Sequence, residues 1–369
     1  MRFALLLLPF MLTVGCTDSG KPAATKAEQA ASLPAPPSAA EMEAIAALEA
    51  AGVKVAKTEA GHATGVDFRG VEVTAELLAG ISALPTVTVA NFAETNLDDE
   101  MLNNLVTTAD SLNNFDLRDC SISDAGLKTL AGVEGIRAIR LSGKSGNTTV
   151  TDDGLAHLAG LASLKLLALD DVWIGTAGLA HLKNLPGLAE LYLAGTLVDD
   201  DSIAIVSGMP GIRKLRLART QVGDAALEAL TACSSLEELD LSEDSLLTDA
   251  GMVSLGKITS LKKLNLWRVQ INNEGALALA PLVNLQWLNL DNTKLSDGGL
   301  AALKDMAQLK FLHLGSTQIT ADGIESLFHL TTLDDLKITR TAMGASADAV
   351  AALAEKLPDT AIQTEYEGE

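Results

Sequence analysis

The sequence predicts an α/β solenoid, with a parallel sheet on the inner, concave side and short helices on the outer, convex side. Three observations support this prediction. The motif Leu-x-x-Leu-x-Leu recurs with its middle leucine at positions 167, 191, 215, 239, 264, 288, 312 and 336, a spacing of 24 or 25 residues. Each copy is followed by Ser or Thr, often with Asp and Gly, and then by Leu-x-x-Leu. The chain is 48% hydrophobic but only 3% aromatic, so its core must be aliphatic.

Residues 2–16, RFALLLLPFMLTVGC, predict an export signal. One arginine precedes an apolar run from Phe3 to Leu12, which has signal-peptide length and is too short to span a bilayer. The stretch ends in Gly15-Cys16 and resembles the bacterial lipoprotein signal, in which the cysteine after the cleavage site is lipidated. The resemblance implies removal of residues 1–15 and a lipid on Cys16. Thr13 departs from that pattern, which favours leucine there, so an ordinary secretory signal and an uncleaved anchor remain alternatives.

Residues 16–37 predict a flexible tether. The sequence TDSGKPAATKAEQAASLPAPPSAA, which follows the cysteine, is rich in Ala, Pro, Ser and Lys and has almost no large apolar residue. Such a composition cannot bury a core. Residues 38–59 predict an N-terminal cap, with an amphipathic helix over 38–51 and a strand over 53–57.

Weaker copies of the motif precede the regular series, at Ile139-Arg140-Leu141, at Phe115-Asp116-Leu117, around 90–95 and at Val66-Asp67-Phe68. Together the copies predict about twelve units over residues 60–345. The pattern resembles the leucine-rich-repeat family, whose signature is Leu-x-x-Leu-x-Leu-x-x-Asn/Cys-x-Leu, over roughly three-quarters of the chain. The resemblance implies a horseshoe-shaped solenoid whose concave sheet is the usual binding face.

The Asn/Cys position of that signature is mostly threonine in this chain. The column holds Thr95, Thr196, Thr220, Thr293, Thr317 and Thr341, and also Cys120, Val172 and Val269. In the family this side chain hydrogen-bonds the backbone where the strand turns. A threonine hydroxyl can do the same, whereas a valine cannot. Cys120 is therefore interpreted as a buried structural residue.

A helix-start pattern follows each strand motif. SDAGLKTL at 123, TDAGMVSL at 248 and SDGGLAAL at 296 place Ser or Thr before a Leu-x-x-Leu spacing, which predicts a helix N-cap. The Asp adds negative charge where the helix dipole favours it. Calcium is the alternative explanation, but the Asp-rich spacing of calcium-binding turns is absent from the sequence.

Two segments depart from the regular unit. LSGKSGNTTVTDDGL at 141 is about four residues longer than its neighbours and predicts a loop. Residues 346–369 predict a C-terminal cap and tail, with a helix over 346–357 and a strand over 360–364. Terminal units of this kind protect the ends of a solenoid.

The formal net charge of -21 excludes phosphate-rich partners. Nucleic acid and anionic lipid surfaces would repel such a chain, so the lipid anchor is the only predicted membrane contact. Cys120 and Cys233 fall several repeats apart, beyond the reach of a disulfide. The sequence has no phosphate-binding loop, dinucleotide fingerprint or zinc-protease motif, and it predicts no cofactor, metal or catalytic group. His157 and His181 both occur in GLAHL, which repeat copying explains better than a metal site.

Three positions of each strand motif face out from the concave sheet: the residues before, between and after its last two leucines. Trp287 and Phe311 share one such column on adjacent units, and Trp267 lies one unit away. Trp, Tyr and Arg dominate binding hot spots, although Trp and Phe could instead pack together to cover an exposed sheet. The predicted partner-binding residues are Tyr192, Arg216, Arg219, Trp267, Arg268, Trp287, Asn289, Phe311 and His313.

These observations predict a non-enzymatic cell-envelope protein that binds a protein, peptide or glycan through the concave face. It is expected to be a monomer, lipid-anchored in the periplasm or at the outer membrane. One alternative is a polysaccharide-active enzyme using carboxylates such as Asp170, Asp171 and Asp291, although these lie several units apart. The other alternative is a passive structural spacer.

Overall fold

A computed structural model describes residues 35–365 of the chain, as fourteen strands, short helices and their connections. The predicted signal peptide, Cys16 and most of the tether lie outside the described residues. The strands are β1 (Lys54–Lys57), β2 (Ala63–Asp67), β3 (Val89–Asn91), β4 (Asn114–Asp116), β5 (Ala138–Ser142), β6 (Leu166–Asp170), β7 (Glu190–Tyr192), β8 (Lys214–Arg216), β9 (Glu238–Asp240), β10 (Lys263–Asn265), β11 (Trp287–Asn289), β12 (Phe311–His313), β13 (Asp335–Lys337) and β14 (Ala361–Gln363).

Helices connect successive strands. The α-helices are α1 (Ala39–Ala50), α2 (Ala75–Ile81), α3 (Asp99–Val106), α4 (Asp124–Ala131), α5 (Asp152–Leu155), α6 (Thr176–Leu182), α7 (Asp200–Val206), α8 (Asp224–Leu230), α9 (Asp249–Leu255), α10 (Asn273–Ala278), α11 (Ala342–Ala345) and α12 (Ala347–Lys356). Two connections contain 3₁₀-helix instead, at Asp297–Leu303 and Ala321–Leu327, and a third 3₁₀-helix, Ala156–Gly160, directly continues α5. No helix in residues 35–365 is long and apolar enough to cross a membrane.

The strands form one sheet in strict sequence order from β1 to β14. All neighbouring pairs are parallel except β1 and β2, which are antiparallel. The register is that of the repeat, since Leu264, Leu288, Leu312 and Leu336 pair in succession. These leucines are almost completely buried between the sheet and the helices, and each contributes ~1.5–3 kcal/mol of hydrophobic stabilisation. The predicted α/β solenoid is confirmed, with the antiparallel first pair as a local departure.

The chain leaves most strands of the repeats through one left-handed residue, which we call the corner residue. Nine non-glycine corner residues have a positive φ: Glu94, Asp119, Asp171, Arg219, Glu243, Arg268, Asn292, Ser316 and Arg340. This conformation costs a non-glycine residue ~1–2 kcal/mol. In return the corner amide donates to a carbonyl of the next unit, as Glu243 does to Trp267 at 2.8 Å. The corner thereby extends the hydrogen-bond ladder beyond the short strand.

The threonine that follows the corner has the predicted backbone-bonding role. The hydroxyls of Thr95, Thr196, Thr293, Thr317 and Thr341 each donate to the carbonyl three residues earlier, at 2.6–2.8 Å. The Cys120 thiol donates in a similar way to the Phe92 carbonyl at 3.0 Å, and it is fully buried. Burial also raises the pKa of this thiol, and its burial and hydrogen bond agree with the predicted structural role. Cys120 and Cys233 are both free.

Asp244 occupies the same column in the unit of β9, a position that was not among those predicted for this column. Its Oδ1 accepts from the amide of Thr220 at 2.8 Å and from the Thr220 hydroxyl at 3.3 Å. Its Oδ2 is buried and is the single such side-chain atom without a hydrogen-bond partner in residues 35–365. Thr220 therefore differs from the other threonines, because its hydroxyl donates to a carboxyl rather than to a carbonyl.

The Asp after the helix cap links neighbouring units, which is more than the predicted dipole effect. Asp224, the first residue of α8, accepts from the amide of Thr248 at 2.9 Å and from the Thr248 hydroxyl at 2.6 Å. The same amide contact recurs along the solenoid at 2.7–3.1 Å, from Asp99, Asp124, Asp152, Asp200, Asp249, Asn273 and Asp297 to the next N-cap residue. In each of these units the helix start is thus hydrogen-bonded to the helix start of the unit before it.

This hydrogen bond brings the Asp close to the next unit and explains why the helix-start pattern has a glycine two residues after its own Asp. A Cβ on Gly126, Gly154, Gly178, Gly251, Gly275, Gly299 or Gly323 would collide with the Asp or Asn of the preceding unit. Ser202 can occupy the position because the preceding unit has Thr176 there, and the two hydroxyls lie 2.7 Å apart. Ala226 can occupy the glycine position in α8 because the N-cap residue of that helix is Gly223. The missing side chain of Gly223 leaves room for the Asp200 carboxylate. The glycine is therefore a packing requirement between units.

The two ends of the solenoid carry the predicted extra elements. At the N-terminal end, α1 is capped by Ser38 and packs with β1. Glu41 on α1 is 2% exposed and accepts from the amide of Ala63 at 3.1 Å. At the C-terminal end, α12 starts at an N-cap formed by Ser346, and β14 closes the sheet against β13.

Candidate functional site: the concave sheet

Three columns of side chains cross the concave face. The first column holds the residue before the first inward leucine of each strand motif, the second holds the residue between its two inward leucines, and the third holds the residue after the second inward leucine. In the first column the register places Lys263, Trp287, Phe311 and Asp335 on successive strands. In the second it places Asn265, Asn289, His313 and Lys337. Residues 24 apart in sequence thus become neighbours.

Two aromatic rings stack in the first column, between two lysines. The rings of Trp287 and Phe311 lie 4.8 Å apart at an interplanar angle of 5°. The Lys263 ammonium lies 4.8 Å from the centre of the Trp287 ring, and the Lys337 ammonium lies 5.7 Å from the centre of the Phe311 ring. Lys263 precedes Trp287 along the sheet and Lys337 follows Phe311. We call Lys263, Trp287, Phe311 and Lys337 the aromatic–lysine row.

The faces of both rings are occupied within the row. Trp287 has Phe311 on one side and Lys263 on the other, and Phe311 has Trp287 and Lys337. The rings themselves are half-buried, so a ligand approaching from the concave side meets their edges. The faces of the two rings are therefore used in packing, whereas the ring edges and the ammonium groups remain open toward the concave side.

Trp267 lies in the third column, outside the row. Its ring is covered by Arg268, whose guanidinium carbon lies 4.9 Å from the ring centre. Arg268 is a corner residue and also pairs with Glu243 at 3.1 Å. The structure therefore forms a second aromatic–cation pair at the edge of the concave face and does not stack Trp267 on Trp287.

His313 and Asn289 border the row in the second column. The imidazole of His313 lies at the edge of the Phe311 ring, with centres 6.4 Å apart, and 3.9 Å from the Asp291 carboxylate. Burial lowers the pKa of His313, an effect that outweighs the opposing attraction of Asp291. The side-chain oxygen of Asn289 accepts from the amide of Asp291 at 2.9 Å.

The Asn289 contact recurs in the second column and accounts for much of its Asn and Asp content. The side-chain oxygens of Asp67, Asn91, Asp116, Asp240, Asn265 and Asn289 each accept from the amide two residues later, at 2.9–3.4 Å. These residues therefore close the strand end by a local side-chain turn. The polar character of the column has a structural cause, and only part of it can be assigned to binding.

A separate ion-pair network fills the middle of the concave face. Arg216 lies 2.7 Å from Asp170, two strands away, and 3.4 Å from Asp240 on the next strand. Arg219 reaches Asp171 at 3.0 Å across Gly195, where φ is +69° and a Cβ would collide with the carboxylate. Arg216 thus pairs with Asp240 on the neighbouring strand, and both arginines are also held by carboxylates two strands away.

Tyr192 belongs to the same network. Its hydroxyl donates to Glu190 at 2.7 Å. Burial raises the pKa of Tyr192 well above its usual range, and the Glu190 carboxylate raises it further. Glu190 also lies 3.6 Å from Lys214, whose ammonium is 3.3 Å from Glu238. The polar groups here already have partners within the protein.

The predicted binding residues therefore divide into three groups. Trp287, Phe311, His313 and Asn289 lie together on β11 and β12, Trp267 and Arg268 form a pair beside them, and Tyr192, Arg216 and Arg219 lie in the central ion-pair network. The prediction omitted Lys263 and Lys337. Lys263 could have been found from the sequence, because it stands 24 residues before Trp287 in the same column.

Trp173 is the most exposed large hydrophobic residue of the described chain, at 79%, yet it lies outside the three concave columns. It follows Val172, beyond the corner of its unit. The next unit places Leu197, 49% exposed, at the corresponding position. These two residues form a small apolar area on the margin of the solenoid. This area is separate from the aromatic–lysine row, which lies on β10–β13.

The carboxylates considered for hydrolysis do not form a catalytic pair. Asp170 is the last residue of β6 and Asp291 follows β11, and these two strands are five steps apart in the sheet. Burial raises the pKa of Asp170, but Arg216 opposes the shift and holds the carboxylate in an ion pair. No three His, Cys, Asp or Glu side chains between residues 35 and 365 are grouped so that they could hold a metal ion.

Comparison with known proteins supports the repeat and the fold. A family model described as Leucine Rich repeat matches residues 111–131 and 308–328. The structure of an internalin (inlF) from Listeria monocytogenes is similar, with 22% sequence identity, a TM-score of 0.57, and coverage of 91% of this chain and 93% of that one. An internalin C2 (inlC2) from the same organism shares 27% identity, covers 64% of this chain and 92% of its own, and has a TM-score of 0.48. No curated protein matches the chain.

The repeats, the matched family model and the single open sheet give this chain the fold of a leucine-rich-repeat solenoid. The likeness to the internalin inlF is a likeness of fold.

Proposed function

We propose that this protein is a recognition module that binds a protein or peptide partner through the C-terminal half of its concave sheet. The aromatic–lysine row is the observation that supports the proposal. It combines a large aromatic surface with two cations on a rigid scaffold, and such surfaces carry much of the energy of protein interfaces. The role is binding rather than catalysis, since the concave carboxylates are paired with arginines or lie far apart.

The scaffold favours recognition because it fixes the contact residues before binding. The leucines beneath the row are almost fully buried, and the stacked rings restrain each other. A pre-organised surface loses little conformational entropy on association. A glycan that stacks on an aromatic face is less suited to this site, because both ring faces of Trp287 are covered.

We also propose that the lipid on Cys16 holds the protein at the cell envelope, with residues 16–37 as a spacer. The sequence pattern around Cys16 supports this part of the proposal. Metabolic labelling with radioactive palmitate tests it: the wild type should be labelled and Cys16→Ser should not. A wild type that takes up no label would contradict the anchor.

Capture from envelope extract tests the binding role. The full chain should retain a partner that the variant Trp287→Ser, Phe311→Ser loses. A matched control replaces two exposed apolar residues on convex helices, Val253→Ser and Leu277→Ser, which are 56% and 44% exposed. The control should bind like the wild type, and all three proteins should unfold at similar urea concentrations. If the concave variant retains the same partner as the wild type, the aromatic–lysine row is packing and the proposal is wrong.

A further inference from the structure

We infer that the partner presents an acidic, extended segment, with two carboxylates about four residues apart and an apolar side chain between them. This inference rests on the proposed function and specifies the chemistry of the ligand. It follows from the geometry and charge of the aromatic–lysine row.

The two ammonium groups of the row are available to an anion. Lys263 and Lys337 contact the ring faces of Trp287 and Phe311. Several other concave cations are neutralised by carboxylates, as Lys214 is by Glu190 and Glu238, whereas Arg140 donates to the amide oxygen of Asn114 at 2.7 Å. Within the described residues, neither lysine of the row forms an ion pair. A ring face holds each ammonium in place but leaves its N–H donors for a charged acceptor.

The charge around the row also differs from that of the N-terminal part of the concave face. On β10–β13, the three columns and the corner positions carry four basic residues, Lys263, Arg268, Lys337 and Arg340, and two acidic residues, Asp291 and Asp335. The same positions of β3–β6 carry five acidic residues, Glu94, Asp116, Asp119, Asp170 and Asp171, and two basic residues, Arg118 and Arg140. The row is thus locally basic in a chain whose net charge is -21, and an acidic partner is guided to it.

The spacing of the lysines defines the ligand. Lys263 and Lys337 lie on strands three steps apart, which corresponds to roughly 14 Å at ~4.8 Å per strand. An extended chain advances ~3.4 Å per residue, so carboxylates about four residues apart match the two ammonium groups. Such a segment crosses the strands, and its central side chain lies against the edges of Trp287 and Phe311. The carboxylate–ammonium contacts are charge-assisted hydrogen bonds. A basic segment of the same shape would be repelled by the two ammonium groups.

A defined peptide tests the inference. The probe is a fluorescein-labelled peptide with the core Glu-Ser-Leu-Ser-Glu, and binding to the full chain is followed by fluorescence anisotropy. We expect saturable binding that weakens about tenfold or more in Lys263→Gln, Lys337→Gln, since two charge-assisted contacts are lost. The control Lys257→Gln, Lys304→Gln removes the same charge from exposed positions outside the row and should bind the peptide as the wild type does.

The peptide controls separate this inference from the proposed function. Glutamines in place of both glutamates should abolish binding, and moving the glutamates next to the leucine should weaken it. If the two lysine variants bind the acidic peptide equally well, the inference is wrong. If the wild type binds no acidic peptide while the Trp287→Ser, Phe311→Ser variant still loses the captured partner, the inference fails and the proposed function stands.

Discussion

The carboxylate of Asp224 fills the space that a Cβ on Gly251 would need, although the two residues belong to consecutive helices. Asp224 is held there by the amide and the hydroxyl of Thr248, at 2.9 and 2.6 Å. The pattern Thr-Asp-x-Gly therefore encodes a contact between units: the threonine and the glycine of one unit receive the aspartate of the unit before. Repetition of the pattern fixes the stacking of the solenoid.

Replacing Gly251 by alanine should destabilise the protein by roughly 1–3 kcal/mol, because the new methyl group meets the Asp224 carboxylate. An alanine in a helix is otherwise better than a glycine by ~0.5–1 kcal/mol. Gly80→Ala is the matched control, since Gly80 lies in α2 with no atom within 4 Å of the added Cβ. Urea unfolding followed by circular dichroism should show a lower midpoint for Gly251→Ala and an equal or higher midpoint for Gly80→Ala. Equal midpoints for Gly251→Ala and the wild type would refute the packing argument.

Replacing Asp224 by alanine should cost about 1–3 kcal/mol, because the amide and hydroxyl of Thr248 lose their acceptor. Asp224→Asn should cost much less. The chain already contains an asparagine at the equivalent position of another unit, Asn273. Its side-chain oxygen accepts from the Ser296 amide at 2.8 Å, and its side-chain nitrogen donates to the Ser296 hydroxyl at 2.7 Å. The comparison requires only the two unfolding midpoints. A larger loss for Asn than for Ala would contradict the assigned contact.

Asp244 should make the stability depend on pH. Burial, assisted by the nearby Asp240, raises the pKa of this carboxyl from its ordinary 3.8 to about 8, although the hydrogen bonds from Thr220 oppose the shift. Because the folded state binds the proton more tightly than the unfolded state, the stabilisation is complete below pH 3.8 and is lost as the pH rises to about 8. The free energy of unfolding should therefore fall across this range.

Asp244→Asn should remove that dependence and stabilise the protein by about 1–3 kcal/mol at pH 8, where the wild type buries an unpaired charge. The amide keeps an oxygen for Thr220 and cannot ionise. Urea midpoints at pH 5 and pH 8 for both proteins measure the effect, and Asp201→Asn, at an exposed position, controls for net charge. A parallel decline of wild type and Asp244→Asn would show that Asp244 is not responsible.

Protonated His62 should join Glu41 of α1 to the backbone at Ala35 in the N-terminal cap, a contact that we call the charged clasp. Its Nδ1 lies 3.0 Å from Glu41 and its Nε2 lies 2.7 Å from the carbonyl of Ala35. A carboxylate and a carbonyl only accept, so both contacts require the doubly protonated imidazolium. The Ala35 carbonyl and then Glu41 raise the pKa of His62. The clasp is complete below pH 6.5 and is lost as the pH rises through the folded-state pKa.

A proton NMR titration should give a His62 pKa above 6.5, and Glu41→Gln should lower it. His62→Gln identifies the resonance. A pKa at or below 6.5 in the wild type would remove the case for the clasp.

The sequence by itself determined the fold, because the repeat spacing is a local property. Leucines every 24 residues can be buried only if each unit stacks on the next, and threonine or serine before each Leu-x-x-Leu starts a helix wherever the unit lies. The helix predicted for residues 38–51 is present as Ala39–Ala50, and the last strand predicted for 360–364 is present as Ala361–Gln363. Signal peptide, lipid anchor and domain limits remain predictions of the sequence.

Only the tertiary structure decided which side chains of the concave face have partners. Arg216 is in an outward column, as predicted, but its pairing with Asp170 joins residues two strands apart and leaves no pattern in adjacent repeats. Trp287 and Phe311 were assigned to one column from the sequence, whereas the lysines on their faces depend on side-chain rotamers. Periodicity fixes where a backbone position lies. The contact that a long, charged side chain makes there depends on all its neighbours across the sheet.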